Sequence, residues 1–264
     1  MTMKFCSLSS GSSGNSTYLE AGSSSVLIDA GFAATRIIKS IRNIGCDPSR
    51  LDALLVTHEH DDHIRGIRVL LKRYPVPVIG TQATLDVIKR RYPDIPGRFF
   101  MPINHEEFTL GDMKITPIPI SHDAADPVGY SIKIRGRRIS IVTDLGYVSS
   151  EVVSGIKDSD LLLIESNHDV EMLRNGGYPV YLQKRILGSK GHLSNKVAAS
   201  LISFLLESRQ AGLIYLGHLS KNNNMPELAL NTVTSMLSRR GLKYNKEDIR
   251  LTCRDHASEM AEFD

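Results

Sequence analysis

Apolar positions along this chain shift between a period of two and a period near 3.6, and the shifts mark its elements. Residues 5–8, 17–20 and 25–29 read as strands, with the small-residue run Ser9-Ser10-Gly11-Ser12-Ser13-Gly14-Asn15-Ser16 between the first two. Residues 32–44 carry Ile37, Ile38 and Ile41 on one helical face, and Gly45 suits a C-cap. A strand over 51–56 leads to a corner at Asp61–His63, where Ile64, Ile67, Leu70 and Leu71 resume helical spacing as far as Tyr74-Pro75. A short strand follows over 76–80. Thr81 then caps a helix through Arg91 that Pro93 stops.

The second half repeats this alternation. Strands are expected over 98–101, 107–110 and 113–120, then a hairpin of 128–134 and 139–142 turning at Arg135-Gly136-Arg137. A helix at 150–156 precedes the buried strand 161–164, and helices over 180–187 and 196–207, the latter capped by Ser194 or Asn195, precede the strand 213–216. A helix over 226–239 and a strand over 249–253 close the pattern. Strands cluster in two halves, each followed by helices. That predicts an α/β fold of four layers (αββα), two mixed β-sheets packed face to face with helices outside, in a single domain over 1–264.

Composition narrows the picture slightly. A 264-residue chain with 41% hydrophobic content can bury one large core or two small ones. The net charge of +3 permits a polyanionic substrate without requiring one. Cys6, Cys46 and Cys253 have no paired spacing and read as reduced thiols; with no signal-like leader and no membrane-spanning run, a cytoplasmic location and no membrane partner are expected.

The candidate chemistry is concentrated at Thr57-His58-Glu59-His60-Asp61-Asp62-His63, directly after Leu54-Leu55-Val56. At a strand end His58 and His60 share a side, and the turn into a helix adds Asp62 and His63. Imidazole with carboxylate suits zinc, manganese or iron, and the choice among them stays open. His122 and Asp144 each end a later strand, where further ligands would be placed. The Ser/Gly loop admits two readings, a flexible linker or a set of backbone N–H groups that approach an anion.

His58-x-His60-x-Asp62-His63 resembles the signature of the metallo-β-lactamase superfamily, with His122 and Asp144 in the order of its third and fourth ligand motifs. The resemblance implies that His58, His60 and His122 hold one divalent transition metal and that Asp62, His63 and His218 hold a second. Asp144 would bridge them, while Asp29 only braces the histidine loop. Glu165, Gly191-His192-Leu193-Ser194 and Gly217-His218 resemble the phosphodiesterase branch, in which the match to His192 is an acid near the leaving oxygen and the match to Glu165 orients it. Asp62 would also orient the attacking water. Glu165-Ser166-Asn167-His168-Asp169, Tyr178-Pro179 and Lys184-Arg185-Ile186-Leu187 look like the bacterial WalJ (YycJ) family over nearly the whole chain. That likeness implies a 5′-to-3′ exonuclease on double-stranded DNA, with a link to mismatch-repair proteins.

Lys184, Arg185, Ser12, Ser13 and Asn15 are candidate substrate contacts. His105 and His256 read as surface residues, and His168 has no assigned role. Two other functions share these residues: an acyl or thioester hydrolase of the glyoxalase II type, or a small-molecule cyclic phosphodiesterase. Glu165 with Gly191-His192 argues against the thioester hydrolase. A catalytically silent binding module is disfavoured by the full ligand set.

Overall fold

In a computed structural model, which describes residues 2–208 and 211–263, the chain divides into two compact units. In chain order the first elements are β1 (Met3–Ser9), β2 (Ser16–Ala21), β3 (Ser24–Ile28), α1 (Ala34–Asn43), β4 (Ala53–Leu55), α2 (Asp61–Ile64), α3 (Ile67–Arg73), β5 (Val78–Thr81), α4 (Gln82–Arg91), β6 (Phe100–Ile103), β7 (Phe108–Leu110) and β8 (Met113–Pro119). They continue with β9 (Val128–Ile134), β10 (Arg137–Val142), α5 (Ser150–Ile156), β11 (Ser159–Glu165), α6 (Val170–Asn175), α7 (Val180–Leu187), α8 (Asn195–Glu207), β12 (Ala211–Gly217), α9 (Pro226–Arg239), β13 (Ile249–Leu251) and β14 (Ala261–Phe263).

In the first unit the strand order is β14-β1-β2-β3-β4-β5-β6. The pairs β14/β1, β1/β2 and β2/β3 are antiparallel, and β3 to β6 run parallel. Parallel neighbours require crossovers, which α1, α2 with α3, and α4 supply. Their inward residues Ile37, Ile41, Ile67, Leu70, Leu85 and Ile88 pack with Leu27, Leu54, Val56 and Val78 of the sheet side. The helix expected through the histidine corner is broken in two at Arg65-Gly66. The Gly66 N–H turns to the Ala30 carbonyl (2.7 Å), and a side chain at this position would collide with Phe32 O.

The second unit contains β9 to β13. The β9/β10 hairpin turns at Arg135 and Gly136, both at positive φ (52° and 80°), the pair of left-handed residues that a tight hairpin turn favours. Strands β10, β11, β12 and β13 run parallel, joined by α5, by α6 to α8, and by α9. Leu162, Ile164, Ile214 and Leu216 meet Val152, Ile156, Ile202, Leu205, Val233 and Leu237 of those helices in one core. The sequence pattern did not show α6, which Asp169 caps by accepting from the Glu171 and Met172 N–H groups, nor the three-residue edge strand β14.

The parallel register sets up the chemistry. In the second unit Val142 is level with Ile164, Ile164 with Leu216, and Glu165 with Gly217. Asp144, Glu165 and His218 therefore leave three adjacent strands at the same carboxyl end. In open parallel sheets that end is where ligand-binding residues collect.

Candidate metal centre and catalytic dyad

Within the first unit the corner after β4 holds four side chains, each positioned by a named neighbour. His58 and His63 are fully buried, with ring centroids 4.0 Å apart, while His60 meets His58 edge-on at 4.6 Å. Asp29 braces them. Its Oδ1 accepts from the Thr57 N–H (2.9 Å), and its Oδ2 accepts from Thr57 Oγ1 (2.8 Å) and from His63 Nδ1 (2.7 Å). Thr57 Oγ1 also lies 3.1 Å from His58 Nδ1. Asp29 itself sits at a φ of 61°, a left-handed value that turns its carboxylate back towards the loop.

The Ser/Gly loop is an ordered brace. The Asn15 N–H donates to the Asp62 carbonyl (2.7 Å), and Asn15 Nδ2 lies 3.0 Å from His63 Nε2 and 3.4 Å from Asp62 Oδ2. Gly31 approaches so closely that any side chain there would collide with the Asp62 backbone. Of the three candidate contacts in this loop, Asn15 is buried against the corner and Ser12 and Ser13 are exposed. The neighbouring acids are committed elsewhere: Asp61 pairs with Arg65 and Arg91, and Glu59 accepts from the Ala125 N–H.

In the second unit Glu165 is the organising group. Oε1 accepts from His192 Nδ1 (2.8 Å) and from His218 Nδ1 (2.7 Å), while Oε2 accepts from the Leu145 and Leu193 N–H groups (2.8 and 3.0 Å). Complete burial alone would push this carboxyl up, but the His192 and His218 donors outweigh it and hold it down to about 2. Burial likewise works against a charge on His192. The Glu165 carboxylate more than offsets that and raises its pKa, with Asp144 adding to the rise.

Asp144 Oδ1 is the common neighbour of three rings, at 3.5 Å from His218 Nε2, 3.9 Å from His122 Nε2 and 3.7 Å from His192 Nδ1. Asp144 and His218 both stand at left-handed φ (60° and 54°) directly beyond their strands. His122 Nδ1 lies 3.2 Å from the Gly191 carbonyl. The side chains of Asp144, Glu165, His192 and His218 thus form a compact cluster that can hold a cation.

His168 is buried and neither ring nitrogen has a hydrogen-bond partner among the described residues; burial, with His192 nearby, pushes its pKa down to about 4. Lys184 is exposed, and Arg185 pairs with Asp123 (2.6 Å), the residue after His122. His105 and His256 are at the surface. Sequence reasoning did not find the bracing role of Asn15, nor Asn195 and Asn224. Those two exchange amide hydrogen bonds (2.9 Å) and anchor the backbone of Ser166 and Asn167. Their only sequence signal was an asparagine soon after each Gly-His-Leu-Ser.

A Beta-lactamase superfamily domain matches residues 24–218. Exodeoxyribonuclease YycJ of Bacillus anthracis is 36% identical over 243 residues, covering 91% of either chain. Exodeoxyribonuclease WalJ of Streptococcus pneumoniae serotype 2 is 39% identical over 243 residues, covering 90% of either chain. The crystal structure of the metallo-β-lactamase fold protein YhfI from Bacillus subtilis superposes with a TM-score of 0.74 over the whole of both chains at 16% identity, which shows that fold.

Proposed function

Because the chain belongs to the β-lactamase superfamily and, within it, to the family of the WalJ and YycJ exodeoxyribonucleases, we propose that it is a metal-dependent exodeoxyribonuclease acting 5′ to 3′ on double-stranded DNA. The observation that carries this reading is Glu165 accepting from two histidines at once, an arrangement that can separate a metal ligand from a proton donor.

The donor set fits divalent metals. His63, His122 and His218 each turn Nδ1 towards a fixed oxygen (Asp29, the Gly191 carbonyl, Glu165), so Nε2 is the atom each would offer a metal, in His63 at the place where Asn15 Nδ2 now stands. We assign His58, His60 and His122 to one metal, Asp62, His63 and His218 to a second, and Asp144 to both, with zinc, manganese and iron equally compatible. When bound, such metals neutralise phosphate oxygens and bring the ionisation of water near neutral pH.

The chain's own residues do the rest. Asp62, at the rim of the corner, orients the attacking water. His192 Nδ1 is held by Glu165, so Nε2 is the nitrogen that delivers a proton to the departing oxygen. The raised pKa of His192 favours the cation that an acid must start from. Lys184 is the exposed candidate for phosphate. The single-domain reading over 1–264, the cytoplasmic location, supported by three free thiols, and the link to repair proteins belong to the same proposal. No helix among the described residues is long and apolar enough to cross a membrane.

The metal-loaded protein assayed in parallel on labelled duplex DNA, RNA, bis-p-nitrophenyl phosphate and a thioester should release nucleotides from DNA ends fastest. Faster turnover of the thioester than of every phosphodiester would replace this reading with the glyoxalase II one.

A further inference from the structure

Helix α7 presents an unusual outward face. Val180, Tyr181, Lys184, Arg185 and Leu187 are all exposed, and only Leu182, Gln183 and Ile186 turn inward, each half-buried. An eight-residue helix that leaves a tyrosine 75% exposed and a valine 65% exposed buries little apolar surface for its own support. Contiguous exposed apolar surface of this kind marks a site of interaction. The surrounding charge says with what. From Met172 to Lys196 the chain carries Arg174, Lys184, Arg185, Lys190 and Lys196 and no carboxylate, a local +5 in a chain whose total is +3. A polyanion is the complementary partner, and an aromatic ring among the cations adds a surface on which bases stack.

The helix is also tied to the reacting groups of its own unit. The His192 N–H donates to the Ile186 carbonyl (3.0 Å), and Arg185 pairs with Asp123 beside His122. A second aromatic stands nearby. Gly146 packs against the Ser189 carbonyl with no room for a side chain, and the following Tyr147 is 50% exposed. Tyr181 thus lies on the helix whose Ile186 carbonyl holds the His192 N–H, and Tyr147 follows the glycine that packs on Ser189 in the same segment. An intact duplex hides its base faces along its length, and only an end offers one.

We propose that α7, through Tyr181 with Tyr147 and the adjoining cations, is a stacking platform that receives the terminal base at a DNA end and so sets which end enters. This rests on the exodeoxyribonuclease reading and adds to it the part of the substrate that is gripped. The test uses the metal-loaded protein and a duplex carrying 2-aminopurine as its unpaired 5′-terminal base, with phosphorothioate linkages to prevent cutting. Binding should quench the terminal 2-aminopurine and leave an internal one unchanged. Tyr181→Ala should lose most of that quench and weaken binding about tenfold, Tyr181→Phe should retain both, and Tyr147→Ala should show a smaller loss, all with unchanged melting temperature.

Equal affinity and equal quench in Tyr181→Ala and the wild type would overturn the platform while leaving the nuclease reading intact. A wild-type protein that neither binds nor degrades DNA would remove that reading and the platform with it. A dimer that Tyr181→Ala converts to monomer with no change in DNA affinity would assign the face to a second copy of the chain instead.

Discussion

Gly191-His192-Leu193-Ser194 and Gly217-His218-Leu219-Ser220 are the same four residues in two places, and the protein uses them differently. His218 follows β12 at a left-handed φ of 54°, its side chain is 1% exposed, and its Nε2 faces Asp144 Oδ1 at 3.5 Å. His192 lies just before α8, its side chain is 20% exposed, and it meets Asp144 through the nitrogen already given to Glu165. Both rings share one acceptor, yet only His218 turns its Nε2 towards the Asp144 carboxylate. A local motif thus specifies which groups are available, while the strand or helix it is attached to decides where each Nε2 points.

The backbone between the two segments explains how they are kept apart. Beyond β11, the Asn167 N–H donates to the Leu193 carbonyl and the Asn195 N–H to the His168 carbonyl, which ties this stretch to the first segment. Asn167 Nδ2 donates to the His218 carbonyl and the Ser220 N–H to the Asn167 carbonyl, which ties it to the second. Glu165 and the three residues after it form a spine with one histidine on either side.

The two histidines should differ most in turnover. His192→Ala should keep its metals by elemental analysis and lose about 10²–10⁴-fold in DNA cleavage. Its loss on bis-p-nitrophenyl phosphate should be far smaller, since that leaving group needs little protonation. His218→Ala should lose metal and be impaired on both substrates. Metal lost from His192→Ala and retained in His218→Ala would exchange the two roles.

Removing the shared acceptor should affect both segments together. Glu165→Ala leaves the buried His218, the partly buried His192 and two buried N–H groups without this acceptor, a destabilisation of about 3–5 kcal/mol readable by urea unfolding. Separate restoration of the two histidines by different second-site changes would argue that Glu165 does not couple them.

The buried His168 should make stability depend on pH. Its folded pKa lies near 4, below the ordinary histidine value of 6.5. The unfolded chain therefore takes up this proton first as the solution is acidified. Its contribution is fully present above about pH 6.5 and is lost as pH falls towards 4, amounting to about 3 kcal/mol. His168→Phe, which fills the same space without a titrating nitrogen, should flatten stability against pH across that window. An unchanged slope would mean that the ring takes its proton in the folded state.

The smallest effect should come from the other unit, where the histidine corner has its own brace. Asn15→Ala should cost about 1–3 kcal/mol through the lost amide contacts and lower metal affinity while leaving His192 chemistry in place. A change in the leaving-group dependence of this variant would break the separation between bracing and acid roles.

Much of this was legible in the chain. The strand-to-helix corner at His58–His63, the strand ends at His122, Asp144 and His218, and the order of the elements other than α6 and β14 follow from apolar periodicity and from where polar residues interrupt it. Those signals are local, set by side-chain alternation along a strand and by turn chemistry. Tertiary structure decided what depends on the register of distant strands. It put Glu165 between two histidines from segments 26 residues apart, seated Asn15 on His63, and buried His168 with neither ring nitrogen hydrogen-bonded among the described residues. It also decided the left-handed φ of Asp29, Asp144 and His218, a conformation that costs a residue with a Cβ and that no sequence period encodes. Parallel neighbours are paired only after long crossovers, so which polar strand ends meet is fixed when the sheet closes.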